Sequence, residues 1–258
     1  SAEVGKYIES VAVRIGFHDG GSLAGTGVLY TLQTQNRAVV LTAGHVLQRA
    51  LAKSHSCPAV LSVWSESGAK DIFLELADSS NDKAANIHYC PGFMIDSGKY
   101  IFDAAIIEVP WSDWMQDIPE IHFGEAKISA QVKLMGFPKS TDGEATPTDW
   151  TRGRMSLSAE IPTSADNDKE KAFKFSYTSP NSYPIERDDL MSGYSGSGLF
   201  LCDAARPKLI GLVSQSYGSD NVGNVAWAVS SYALKLLLTE YGLVLKESEL
   251  VNWQDLKH

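Results

Sequence analysis

His45, Asp103 and Ser195 are far apart in the chain, and their side chains are of the types that together make a serine reactive. A serine hydroxyl is a weak nucleophile until an imidazole accepts its proton. The imidazole in turn needs a carboxylate to hold its ring, and the reaction needs N–H donors for the oxyanion that forms. Ser195 stands in Gly193-Tyr194-Ser195-Gly196-Ser197-Gly198, a glycine-punctuated turn between the apolar stretches Leu190-Met191 and Leu199-Phe200-Leu201. The backbone N–H groups of Gly193 and Ser195 are the candidate oxyanion donors, since a peptide turned toward substrate often needs dihedrals that glycine tolerates. Taken singly, each residue has a plainer reading. A histidine after a strand is more often structural, an aspartate in an apolar run can pair with an arginine or cap a turn, and Gly-Ser repeats are usually flexible loops. The three together change that weighting.

These residues must be positioned by the elements around them. Ala38-Val39-Val40-Leu41-Thr42-Ala43 is a β-branched, nearly continuous apolar run, as expected of a strand covered on both faces. It ends at Gly44-His45, after which Val46, Leu47, Ala50 and Leu51 recur at helical spacing. His45 is therefore expected where a buried strand gives way to a helix. Asp103 interrupts Ile101-Phe102-Asp103-Ala104-Ala105-Ile106-Ile107, an apolar run in which a carboxylate needs a partner. Val11–Phe17 alternates as a strand, and Val28–Leu32 reads as a second, with Gly25-Thr26-Gly27 before it read as a tight turn with close packing. Further short strands are expected at 60–64, 72–76, 87–89, 101–109, 131–135, 154–159, 173–177, 198–201, 209–213 and 225–229. Their density, with little helix between them, favours an antiparallel all-β architecture over βαβ units. Pro110–Pro119, with Trp111 and Trp114, reads as a connector to a second β-rich half. Ser231–Tyr241, carrying Leu234, Leu236, Leu237 and Leu238, is the one convincing long helix.

Size and composition limit the remaining possibilities. At 258 residues, 44% hydrophobic and 21% charged, the chain has the composition of a globular protein with a substantial core, as one large domain or two small ones. A formal charge of −9 argues against a general nucleic-acid binder, because phosphates demand a concentrated positive field. No run approaches the ~18 to 20 apolar residues that cross a bilayer, so no membrane association is expected. Ser1–Ser10 carries Glu3, Lys6 and Glu9 and is not a signal peptide as it stands. Cys57, Cys90 and Cys202 are odd in number, widely spaced and match no zinc signature. They are expected to be buried thiols in a reducing compartment, and the expected location is cytoplasmic. No metal and no cofactor are called for.

Thr42-Ala43-Gly44-His45, Asp103-Ala104-Ala105-Ile106 and Gly193-Tyr194-Ser195-Gly196 resemble the Thr-Ala-x-His, Asp-x-Ala and Gly-x-Ser-Gly motifs of chymotrypsin-like, trypsin-fold serine proteases. The order His, Asp, Ser and the separations of 58 and 92 residues are similar too. An α/β-hydrolase would place its histidine after the serine, where only His258 stands, and a subtilisin-like order would need an aspartate before His45, where only the loop residue Asp19 is near. The resemblance spans roughly 11–230. Leu134-Met135-Gly136-Phe137-Pro138 looks like a segment common in bacterial trypsin-like proteases, and Trp227-Ala228-Val229-Ser230 resembles the end of the last barrel strand in the HtrA-like and glutamyl-endopeptidase-like branches. Ile210-Gly211-Leu212-Val213-Ser214 looks like the substrate-pairing strand.

The resemblance implies an all-β fold of two antiparallel six-stranded β-barrels with the active site in the cleft between them and a C-terminal helix. The expected division is 1–115, carrying His45 and Asp103; 116–230, carrying Ser195; and 231–258, a helix and tail without an appended PDZ domain. It also implies a serine endopeptidase acting on protein or peptide substrates through an acyl-enzyme, with His45, Asp103 and Ser195 as its triad. Asp189 lies six residues before Ser195, where trypsin-like members carry the carboxylate that selects Arg or Lys. The alternative is an exposed aspartate paired within Glu186-Arg187-Asp188-Asp189. Ser214, Gln215 and Ser216 would line the pocket, their backbone free to pair a substrate strand. Tyr194 replaces the aspartate that in digestive members pairs with a freed N-terminus, so activation by N-terminal cleavage is not expected, while an activating protein partner stays open. Two other functions remain in view: a catalytically silent module of this fold binding a peptide or protein partner, and a serine esterase.

Overall fold

The computed structural model of the chain describes residues 2–17, 23–46, 59–65, 68–74, 87–89, 103–109, 111–125, 130–136, 155–160, 172–178, 194–202, 206–216, 224–240 and 242–243. Two sheets account for fourteen strands. The first comprises β1 (Ala12–Phe17), β2 (Leu23–Leu32), β3 (Arg37–Thr42), β4 (Ala59–Ser65), β5 (Gly68–Leu74), β6 (Ile87–Tyr89) and β7 (Ala105–Val109). Its order is β5-β4-β1-β2-β3-β7-β6 and every pairing in it is antiparallel. The second comprises β8 (His122–Phe123), β9 (Gln131–Gly136), β10 (Met155–Glu160), β11 (Ala172–Thr178), β12 (Gly198–Leu201), β13 (Lys208–Ser216) and β14 (Asn224–Ser230). Here β12 pairs with both β9 and β13, so that β9, β10, β11, β14, β13 and β12 close on themselves as an antiparallel ring. The short β8 adds to the outside of that ring, parallel to β13. Among the described residues that ring has the six strands expected, and each sheet also carries a short addition, β6 in the first and β8 in the second.

The strands follow from their residues. Val39, Val40 and Leu41 of β3 and Ile106 and Ile107 of β7 are all buried, as the continuous apolar runs require. Gly25, Thr26 and Gly27 lie inside β2 rather than in a turn before it. Close packing does explain Gly25, where a Cβ would come within 2.6 Å of the Val46 side chain and 2.9 Å of Ser195 O.

A helix precedes β1, where the sequence reading expected no element before Val11. In α1 (Ala2–Val11), Val4, Ile8 and Val11 fall on one face and are buried, while Glu3 and Lys6 are exposed. Tyr7 on α1 meets Phe200 of β12 edge-on, with ring centroids 5.9 Å apart, and donates its hydroxyl to Glu120 O at 3.0 Å. Burial pushes that phenol up to about 12, with the Arg206 charge acting in the other direction. The helix therefore touches both sheets.

Between the sheets, Asp113–Asp117 forms a 3₁₀ helix with Met115 buried, and Gln33 Nε2 donates to Gln116 O and Ile118 O, both at 2.9 Å. The expected connector is thereby fastened to the first sheet. The expected C-terminal helix is α2 (Ser231–Glu240). Ser230 caps it by accepting the Ala233 N–H at 3.2 Å, and Leu243 N–H closes its end on Leu238 O at 2.9 Å. Leu234, Leu236, Leu237 and Leu238 are buried, and the helix packs on β13, β14 and β7, again bridging the sheets. Of the three cysteines, Cys202 is half-buried with its Sγ 3.4 Å from Phe200 O, whereas Cys57 and Cys90 lie outside the described residues.

Candidate active site

His45 follows β3 in a helical turn at 44–46, and Val46 N–H donates to Ala43 O at 3.1 Å. Asp103 lies two residues before β7, the strand that pairs with β3. Of the strand expected at 101–109, residues 105–109 form β7 and 103–104 are irregular, whereas 101 and 102 lie outside the described residues. Because β3 and β7 are antiparallel neighbours with Thr42 opposite Ala105, the end of one and the start of the other meet at the same sheet edge. Local topology alone brings histidine and carboxylate together.

The contacts are specific. His45 N–H donates to Asp103 Oδ1 at 2.9 Å, and His45 Nδ1 lies 2.6 Å from Asp103 Oδ2. The Ser214 hydroxyl also donates to Asp103 Oδ2, at 2.5 Å. Burial alone would push the Asp103 carboxyl up, but the bond and charge of His45 and the bonds from Ser214 Oγ and His45 N–H outweigh it and hold the group below its usual value. An ionised carboxylate can only accept, so His45 Nδ1 carries the proton and Nε2 is left as the acceptor. That nitrogen lies 2.9 Å from Ser195 Oγ.

Ser214 reaches Asp103 because of an irregularity in the sheet. Val213 pairs with Ala228 and Gln215 with Trp227, leaving Ser214 as an extra residue between them. Such a bulge re-aims a side chain that regular alternation would direct elsewhere.

Ser195 sits in the turn 194–196 ahead of β12, and this turn is tied on several sides. Gly196 N–H donates to Val213 O at 2.7 Å, Ser197 N–H to Tyr194 O at 2.8 Å, and Thr26 N–H on β2 to Ser195 O at 2.8 Å. Gly196 has φ of +87°, a conformation that glycine adopts without strain. Tyr194 is fully buried with its ring against Gly136, and burial pushes its phenol up. Among the described residues no partner takes the N–H of Ser195, one of the two expected oxyanion donors.

The structure thus brings His45, Asp103, Ser195 and Ser214 into one hydrogen-bonded chain. Gly193 and Asp189 lie outside the described residues. Gln215 and Ser216 belong to β13, where their backbone pairs with Trp227 and Ala226 of β14. Sequence reasoning placed Ser214 beside a pocket and missed its bond to Asp103, because nothing in the residues around it signals a bulge. It also passed over Thr26 and Thr42, although Thr42 stands in the motif that contains His45.

No family model matches the chain, and no curated protein sequence does. Solved structures do match. Neuropsin, a serine protease expressed in the limbic system of mouse brain, aligns with a TM-score of 0.60 over 92% of this chain and 96% of its own. The chain has the trypsin fold. In all, 677 solved chains match. At 13% identity the likeness to neuropsin is one of architecture, and a shared architecture carries no substrate with it. Within this trypsin fold, the His45, Asp103 and Ser195 arrangement has the geometry of a serine-hydrolase triad.

Proposed function

We propose that the protein is a serine endopeptidase. The observation that carries the reading is the unbroken chain from Ser214 Oγ to Asp103, from Asp103 to His45 Nδ1 and from His45 Nε2 to Ser195 Oγ, with no bond longer than 2.9 Å. In this reading Ser195 Oγ attacks the scissile carbonyl while His45 Nε2 takes its proton. Asp103 holds the Nδ1–H and balances the imidazolium that forms. The oxyanion is held by the N–H groups of Ser195 and Gly193. The tetrahedral adduct collapses as His45 returns the proton to the leaving amine, giving an acyl-enzyme on Ser195. Water, deprotonated by the same nitrogen, then releases the acid and restores the hydroxyl.

Selection of Arg or Lys before the cut is the finer part of the proposal, supported by the position of Asp189 six residues ahead of Ser195. The test is labelling by a fluorophosphonate probe, expected for the native chain and abolished in Ser195→Ala. A native chain that stays unlabelled and turns over no peptide or ester would refute the proposal and favour a silent binding module. Cleavage-site profiling with a peptide library reads the specificity, and a profile lacking Arg and Lys would remove the role given to Asp189.

A further inference from the structure

The turn that carries Ser195 belongs to the second sheet, yet its main chain is bonded to the first. Thr26 N–H on β2 donates to Ser195 O at 2.8 Å, and the Thr42 hydroxyl on β3 donates to Thr26 O at 2.7 Å. Both threonines are fully buried. The next residue presses on the same place, for a Cβ on Gly196 would strike Thr26 O and Thr42 Oγ1 and lie 3.0 Å from Ala43 N. The peptide after Ser195 therefore rests against Thr26 and Thr42 with no atom to spare.

We propose that Thr42 is a positioning residue for Ser195, acting through Thr26 to fix the nucleophile against the base. This rests on the serine-hydrolase reading above. The contact of 2.9 Å between His45 Nε2 and Ser195 Oγ joins side chains carried by different sheets, so its length depends on how the two sheets dock. On one side of that contact, Thr42 ends the strand that delivers His45 three residues later. On the other, the Thr42 hydroxyl orients the backbone of Thr26, whose N–H holds the Ser195 carbonyl. The bonds within the second sheet, from Gly196 N–H to Val213 O and from Val213 N–H to Ser197 O, hold the turn to its own barrel but not to His45. Thr42 and Thr26 supply that second reference point.

The experiment compares Thr42→Val, which keeps the branched shape and removes the hydroxyl, with Thr42→Ser, which keeps the hydroxyl. Misplacing reacting groups by a fraction of an ångström costs on the order of tenfold or more. Thr42→Val should therefore lower kcat and the fluorophosphonate labelling rate about tenfold while KM stays within about twofold, and Thr42→Ser should return both rates to within about twofold of the native chain. A purely structural hydroxyl would lower the thermal midpoint and leave kcat per folded molecule unchanged. Native kcat in Thr42→Val, or equal impairment of Thr42→Ser and Thr42→Val, would overturn the inference. Should Thr42→Val not fold, Thr42→Ala set against Thr42→Ser makes the same comparison. A native chain that is neither labelled nor active removes the hydrolase reading and this inference with it, whereas a labelled native chain with an unimpaired Thr42→Val removes the inference alone.

Discussion

Replacing Asp103 by asparagine separates the chemistry of the site from its stability. The amide has two ways to sit. With its NH₂ in place of Oδ1 it would face the His45 N–H, donor against donor, at 2.9 Å. With its NH₂ in place of Oδ2 it can donate to His45 Nδ1 and to Ser214 Oγ, while its oxygen accepts the His45 N–H. The second arrangement requires only that the Ser214 hydroxyl rotate to accept and turn its own proton elsewhere, whereas the first sets two buried donors face to face at a cost of about 1 to 3 kcal/mol, so the second wins. It forces the imidazole proton onto Nε2, the nitrogen that must accept from Ser195. Reversing that tautomer restores the unfavourable facing and costs about 1 to 3 kcal/mol. Losing the negative charge about 4 Å from the imidazolium adds about 4 kcal/mol at an effective dielectric of about 20. Together, at about 1.4 kcal/mol per factor of ten, these predict a fall of roughly 10⁴-fold in kcat at neutral pH. The assay is turnover of a peptide or ester substrate, with the urea midpoint measured in parallel at the same pH. A fall of less than about tenfold in a folded variant would refute the tautomer argument, as would a loss of activity that merely tracks unfolding.

Gly196→Ala should destabilise and inactivate together. The positive φ costs about 1 to 2 kcal/mol for a residue with a Cβ, and the collision with Thr26 and Thr42 costs about 1 to 3 kcal/mol more. For a chain of this size the thermal midpoint should drop by roughly 5 to 15 °C, and a midpoint within about 2 °C of native would contradict the packing described. The acid dependence of stability follows from Asp103, whose folded pKa lies below its unfolded value. Its stabilising contribution is present above the usual carboxylate range and is lost as pH falls through that range toward the folded pKa. Denaturation midpoints of the native chain should therefore fall more steeply than those of Asp103→Asn as pH drops below about 4, and parallel curves would show that the carboxylate contributes no such linkage.

Much of this was legible in the residues. The apolar runs of β3 and β7, the leucines of α2 and the ordered His45, Asp103 and Ser195 motifs are local patterns, and local patterns are fixed by side-chain period and turn chemistry. α1 was legible in principle, since Val4, Ile8 and Val11 recur at helical spacing, but a stretch with three charges in ten residues reads as polar until something buries its face. What only the tertiary structure decided lies where two elements meet. The antiparallel register of β3 and β7 sets His45 beside Asp103, and the extra residue in β13 turns Ser214 onto that carboxylate. A bond from β2 ties Ser195 to the opposite sheet. Register, bulges and cross-sheet hydrogen bonds depend on atoms far apart in the chain, and no periodicity within one segment records them. The sequence named the reacting groups, and the docking of two sheets set the distances at which they can react.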